Sequence, residues 1–250
     1  MSTVNVRVED GVAEIELNRP EARNAINLQM VREVNAALDA LLQRDELRAV
    51  IVHGSGGKAF ASGADIAELR ERTHREAFLA INASLFQRLD DFPRPTIAAI
   101  EGFALGGGLE LALACDLRVA SRSARVGLPE ATLGIYPAAG GTSRLPRLIG
   151  LGRAKDLVFT GRILDGEEAF ALGIFERLCD PGQALPTARA LASSIAPNAP
   201  LAIQVAKMAL NSSARGGDPA AVERLGQALL FDSPEKRERM TAFLEKRGKK

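Results

Sequence analysis

The sequence predicts a mixed α/β core carrying a helical C-terminal part. Two observations point there. Apolar runs of strand length alternate with helix-period segments as far as Leu178, and from Gln183 onward the pattern is helical throughout. A third observation, a glycine run at residues 106–108 opening an apolar helix, marks where chemistry would sit.

In chain order, residues 4–8 and 12–17 read as two short strands joined by a turn at Asp10-Gly11. Asn18-Arg19-Pro20 ends the second strand. Asn27 then caps a helix whose apolar residues Met30, Val31, Val34, Ala37, Leu38 and Leu41 fall at helical spacing. Residues 49–52 form a buried strand, closed by His53-Gly54. The segment GSGGKAFASGAD (54–65) reads as a loop of small residues. Gly54, Gly56 and Ala59 fit the loose GxGxxG/A dinucleotide pattern, but Gly63 interrupts where a long helix should follow. It is not a P-loop either, since Lys58 stands at the wrong spacing with no Ser or Thr after it.

Residues 76–91 read as one amphipathic helix ended by Phe92-Pro93-Arg94-Pro95. An apolar strand, Thr96–Ile100, leads into the glycine run. A helix with hardly a polar face follows over residues 109–115, and a second short strand precedes Glu130. Helices are expected at 140–148, 153–159 and 166–172, with a short strand at 175–178. The C-terminal helices are expected at 185–196, 200–213, 220–230 and 234–246. The boundary falls near Asn198, giving a core of residues 1–197 and a helical region of residues 198–250. The sequence shows no internal repeat and no low-complexity tract.

Composition narrows the function classes. At 250 residues and 26.6 kDa, with 46% hydrophobic and 25% charged residues, the chain has the make-up of an ordinary globular protein. A net charge of +1 argues against a broad nucleic-acid or membrane surface, although residues 246–250 are locally basic. Cys115 and Cys179 lie far apart with no CxxC pairing, which suits a reduced, cytoplasmic setting. With only His53 and His74, a histidine-rich metal site is not expected. The N-terminal residues show no secretion signal, and no apolar run approaches a membrane span.

A glycine-rich turn opening an apolar helix sets bare backbone N–H groups and a positive dipole end at one spot, where a developing negative charge can be held. Glu110 lies in the opening turn of that helix. Such a carboxylate often only complements the dipole from the surface, but Leu109, Leu111, Ala112, Leu113 and Ala114 surround it here. Burial would raise its pKa toward the range useful for proton exchange. Glu130, after Pro129, has the bland reading of a first-turn residue. Asp65 and Asp116 read equally well as caps or turn residues, and Gly140-Gly141 as a turn and helix start. Two carboxylates beside one oxyanion site would nevertheless form an acid/base pair. A serine nucleophile is not supported, because no GxSxG occurs.

On these residues the chain resembles the crotonase superfamily, most closely the enoyl-CoA hydratases, across nearly its whole length. The matching segments are NRPEARNAI (18–26), AFASGADIAEL (59–69), AAIEGFALGGGLELALACD (98–116), LPEATLGIYPAAGGTSRLPRLIG (128–150) and AFLEKR (242–247). The resemblance implies the crotonase-like (ClpP/crotonase) spiral of ββα units, with a C-terminal helical trimerisation region. It further implies homotrimers that commonly pair into hexamers, and a lyase of fatty-acid metabolism of the β-oxidation kind.

The implied reaction adds water across the C2–C3 double bond of a 2-enoyl-CoA thioester. Coenzyme A is part of the substrate, and no metal or redox cofactor is expected, nor any nucleic-acid or membrane partner. The oxyanion hole falls on the N–H groups of Ala64 and Gly107. Glu110 would deprotonate the water and Glu130 deliver the proton to C2. The CoA thioester would be bound around Arg23, Ala25, Ala61, Asp65, Ile66 and Ala67, with Phe243 and Lys246 contributed from a neighbouring subunit. Ala67 departs from the pattern, since hydratases often carry lysine there near the CoA phosphates. Residues 70–75 would form a loop helping to wall the acyl pocket. Two alternatives remain: an isomerase or specialised hydratase of the same fold, to which Tyr136 would be relevant, and a non-catalytic acyl-CoA-binding or RNA-associated scaffold.

Overall fold

The computed structural model describes residues 2–248. Lys249 and Lys250, the end of the basic run noted above, lie outside them. The chain forms two compact units, one up to Ser194 and one from Ile195.

The first unit begins with β1 (Val4–Glu9) and β2 (Val12–Leu17), an antiparallel hairpin. Asp10 and Gly11 both take positive φ (+49° and +74°), as a two-residue turn of matching twist requires. Asn27 caps α1 (Leu28–Leu42), its side chain accepting the Met30 N–H at 2.9 Å. Strand β3 (Ala49–Gly54) lies parallel to β2, with β4 (Ala59–Ala61) after it. Three short helices follow: α2 (Ile66–Glu71), α3 (His74–Phe78) and α4 (Ile81–Asp90). Next come β5 (Thr96–Ile100), β6 (Phe103–Leu105), α5 (Gly107–Ala114), β7 (Leu117–Ser121) and β8 (Arg125–Gly127), then a 3-10 turn, Pro129–Leu133. The unit closes with α6 (Gly141–Ile149), α7 (Leu151–Thr160), β9 (Leu164–Asp165), α8 (Gly166–Ala171), β10 (Arg177–Cys179) and α9 (Ala184–Ile195), whose last residue crosses into the second unit.

The strands form two sheets. One has the order β1-β2-β3-β5-β7-β10 and is parallel after its first hairpin; the other runs β4-β6-β8-β9. Parallel strands buried on both faces need no polar alternation, which is why β5 reads TIAAI and every residue of it is buried. The core gathers Ile15, Leu17, Val50 and Val52 with Met30, Leu38, Phe60, Phe86 and Leu109.

Several expectations are corrected. Segment 54–65 is not wholly loop, because Ala59–Ala61 forms β4 against β6. The helix expected over 76–91 is broken: Ala80 adopts φ +47°, ending α3 and starting α4. Residues 70–75 are not one loop either, since α2 runs to Glu71 and α3 starts at His74 behind a Thr73–Glu76 capping box.

The second unit holds α10 (Pro200–Ala214), α11 (Pro219–Phe231) and α12 (Pro234–Gly248). A Cβ at Gly226 would lie 2.2 Å from Val205 Cγ1, so only glycine lets α10 and α11 approach this closely.

Candidate active site

The site is built around the first turn of α5. Gly106, its N-cap, takes φ +51°, and Gly108 faces Ala61, whose carbonyl oxygen would lie 2.0 Å from any Cβ there. Glycine at 108 therefore lets the helix start press against β4. Segment 18–26 reaches the same place through a parallel bridge between Ile26 and Ala64. In that bridge Ile26 donates to Gly63 O (2.8 Å) and accepts from Asp65 N (2.9 Å). A residue paired this way bonds the neighbours of its partner, so the N–H of Ala64 points away from the ladder. Its nitrogen lies against the start of α5: a Cβ on Gly107 would touch Ala64 N at 3.4 Å, and one on Gly63 would lie 3.7 Å from Gly107 N. Among the described residues neither N–H, of Ala64 or of Gly107, has an acceptor. Two free amides thus stand side by side at the positive end of a helix, an arrangement suited to an oxyanion.

Glu110 lies in the same first turn, 3% exposed. Its Oε1 accepts the N–H groups of Ala139 (2.7 Å) and Gly141 (2.8 Å). Burial raises its pKa above the ordinary carboxylate value, while those two amides and the charge of Arg144 pull it back. A carboxylate gripped at one oxygen keeps the other for a water.

Glu130, in the Pro129–Leu133 turn, is also buried, and neither of its oxygens has a hydrogen-bond partner among the described residues. Its Oε1 would lie 3.1 Å from a Cβ on Gly106, so it faces the opening of α5. Burial pushes its pKa up to about 7, and the nearby charge of Glu110 adds to the rise. A folded-state pKa above the unfolded one means that stability is full below pH 4.5 and falls as pH rises through about 7. Thermal melts of Glu130→Gln and the parent chain are therefore expected to coincide below about pH 4, where the carboxyl is largely neutral in the folded and unfolded chain alike, and to separate near about pH 8 with the variant melting higher. Equal melting at both values would show that Glu130 is not held against its charge.

The other expected site residues fall into two groups. Arg23, Ala25, Asp65, Ile66 and Ala67 gather around the Ile26–Ala64 bridge. Arg23 is exposed, its guanidinium 5.8 Å from the Phe103 ring centre. Ala25 O accepts from Arg19, which also pairs with Asp65 at 3.0 Å, and Asp65 caps α2. Ile66 and Ala67 are exposed on that helix, while Ala61 is buried in β4. Phe243 and Lys246 are exposed on α12, in the second unit.

Sequence reasoning missed the turn at 139–141 as the clamp on Glu110, and with it Arg144. A signal was present in Gly141: a Cβ there would meet Glu110 Oε1 at 3.1 Å and Pro137 Cβ at 2.9 Å. No group of three His, Cys, Asp or Glu that could hold a metal ion occurs among the described residues.

Comparison with known proteins matches the chain and its fold to a family. The family model described as enoyl-CoA hydratase/isomerase matches residues 7–250. The chain is 39% identical to a short-chain-enoyl-CoA hydratase of Clostridium acetobutylicum, over 99% of this chain and 96% of that protein. It is 39% identical to a crotonyl-CoA hydratase of Syntrophomonas wolfei, over 96% of this chain and 94% of the relative. Among solved structures, an enoyl-CoA hydratase from Bacillus anthracis superposes with a TM-score of 0.93 at 36% identity, covering 98% of this chain and 96% of that one.

Proposed function

We infer the reaction from kinship and geometry together: this chain belongs to the enoyl-CoA hydratase/isomerase family, and it hydrates 2-enoyl-CoA thioesters. One observation carries the assignment of roles. Among the described residues, two buried carboxylates, one clamped by backbone N–H groups and one without a partner, face the helix start where the Ala64 and Gly107 amides have no acceptor.

In this mechanism the thioester oxygen sits between the two amides. Glu110, ionised, takes a proton from water as the water oxygen bonds to C3. The C2–C3 π pair moves to the carbonyl, giving an enolate whose oxyanion the amides stabilise. Glu130, protonated, then gives its proton to C2 as the carbonyl re-forms. The product is the 3-hydroxyacyl thioester, with one water added and nothing oxidised or reduced. The pair ends with its protonation states exchanged, and proton transfer through water resets it. No metal or nicotinamide enters any step. Two environments that push two carboxylates apart suit this division of labour.

The exposed guanidinium of Arg23, next to the Ile26–Ala64 bridge, supports binding of the CoA portion there. An oligomer, a trimer or a pair of trimers, is supported by large apolar side chains exposed on the second unit, among them Leu210, Leu225 and Leu229 at 70%, 74% and 56%. Light scattering is expected to find no stable monomer. The free thiols Cys115 and Cys179 support a reducing, cytoplasmic location.

The test is direct. Purified protein with crotonyl-CoA, and no added metal or nicotinamide, is expected to abolish the enoyl ultraviolet absorbance and yield a 3-hydroxy product. Its kcat/KM is expected to fall on the acid side as Glu110 gains a proton and on the alkaline side as Glu130 loses one. Double-bond migration without water uptake would point to an isomerase. No reaction with crotonyl, longer or branched enoyl thioesters would refute catalysis.

A further inference from the structure

The clamp on Glu110 consists of two backbone amides in a turn, and a turn needs its own anchor. Residues 139–141 lie just before α6, with Gly140 at φ +116° as its N-cap. Arg144, one turn into α6, is the residue that holds them. Its Nη1 donates to Ala139 O at 3.2 Å, and its backbone N–H donates to Gly140 O at 2.8 Å. A Cβ on Gly140 would lie 1.9 Å from that Nη1, so the guanidinium packs directly on the turn. The rest of the fork is fixed on α4: Nε and Nη2 both reach Asp90 Oδ2, at 3.1 and 2.9 Å, and Nη2 reaches Gln87 Oε1 at 3.2 Å. The Arg144 and Asp90 side chains are only 10% and 18% exposed. A buried pair of this kind need not add stability, which leaves its place behind the clamp to be explained.

We propose that Arg144, anchored by Asp90, is a positioning residue for Glu110, fixing the turn that grips Oε1 and setting a cation behind the carboxylate. The inference rests on Glu110 being the base. Arg144 touches no substrate in this scheme and acts through the turn. Its charge also opposes the rise that burial imposes on Glu110. The charged groups facing Glu110 are Arg144 from α6 and Glu130 from the 3-10 turn, with Asp90 of α4 already engaged by Arg144. Strands β4, β5 and β6, which read AFA, TIAAI and FAL, bring no titratable side chain.

Three variants of the full chain test this: Arg144→Met, Arg144→Lys and Asp90→Asn, each checked for folding by circular dichroism. Arg144→Met is expected to lower kcat for crotonyl-CoA roughly 10- to 10²-fold, with KM little changed and the acid limb of kcat/KM moved to higher pH. Arg144→Lys keeps the charge without the fork, so it is expected to restore the acid limb while recovering only part of kcat. Asp90→Asn frees the fork but leaves the cation, so it is expected to lower kcat without moving the acid limb to higher pH. If Arg144→Met does not fold, Arg144→Gln, which removes the charge and keeps a donor for Ala139 O, carries the test through the same upward move of the acid limb.

A second readout needs no turnover. Titration of the Glu110 carboxyl, followed by 13C NMR in the free protein, is expected to move upward in Arg144→Met. Folded variants with unchanged kcat and an unmoved titration would overturn the positioning role. So would a loss of kcat in the charge-removing Arg144→Met with both the limb and the titration in place, which marks a purely structural ion pair. A moved titration in a protein whose parent hydrates no enoyl thioester would overturn the base assignment and leave the anchoring of this carboxylate standing.

Discussion

Replacing Glu110 with glutamine is expected to lower turnover of crotonyl-CoA by about 10²-fold or more, with thioester binding largely intact. The introduced amide keeps an oxygen that can accept from Ala139 and Gly141, whose N–H groups now lie 2.7 and 2.8 Å from Glu110 Oε1, so the turn has no reason to move. What is lost is the ability to take a proton from water. Glu130→Gln is expected to show a similar fall for the complementary reason, since its buried carboxyl supplies the proton at C2. The two variants should differ in stability. Among the described residues Glu130 has no hydrogen-bond partner to lose, and it sits above its ordinary pKa, so its neutralisation helps the fold at alkaline pH. Equilibrium binding of a saturated acyl-CoA, measured beside kcat, separates the chemistry from binding. Loss of binding and folding together in both variants would make the glutamates structural.

Gly107→Pro is expected to cost about 10²- to 10³-fold in kcat, the size of effect seen when one oxyanion donor is removed. Position 107 is the first helical residue of α5, where proline is well tolerated because its missing N–H has no intrahelical partner. The substitution thus deletes one amide hydrogen while leaving the helix. It also places ring carbons beside Ala64 N, which a Cβ at 107 would already touch at 3.4 Å. Circular dichroism should show an unchanged helix content. Activity within a few fold of the parent would mean that this N–H holds no developing charge.

The amino-acid order announces part of this site and hides the rest, for physical reasons. Strands such as Thr96–Ile100 and the helix after Asn27 declare themselves because their periodicity and caps are local. Strands Ala59–Ala61, Phe103–Leu105 and Leu164–Asp165 are two or three residues long, too short for a period to register, and they exist through their neighbours in the sheet. The break at Ala80 has no glycine or proline to mark it.

Glu110 stands out as an acid in an apolar helix, and its burial is the tertiary consequence of that surround. Glu130 does not stand out, since proline followed by glutamate is common at helix starts. Its orphaned oxygens appear only when the turn folds back over the start of α5. The Asp90–Arg144 anchor joins residues 54 positions apart, and no local pattern carries such a pairing. Gly141 is the intermediate case: its missing side chain is plain in the sequence, but the carboxylate it makes room for is not.

The central claim is that the Ala64 and Gly107 amides polarise a thioester carbonyl beside the two glutamates. Isotope-edited infrared spectroscopy of crotonyl-CoA, 13C-labelled at its carbonyl and bound to the slow Glu110→Gln variant, tests it most directly. The carbonyl stretch is expected at lower frequency than in water, with much of that shift lost when Gly107→Pro is added. A bound carbonyl that vibrates as it does in free solution would contradict the account.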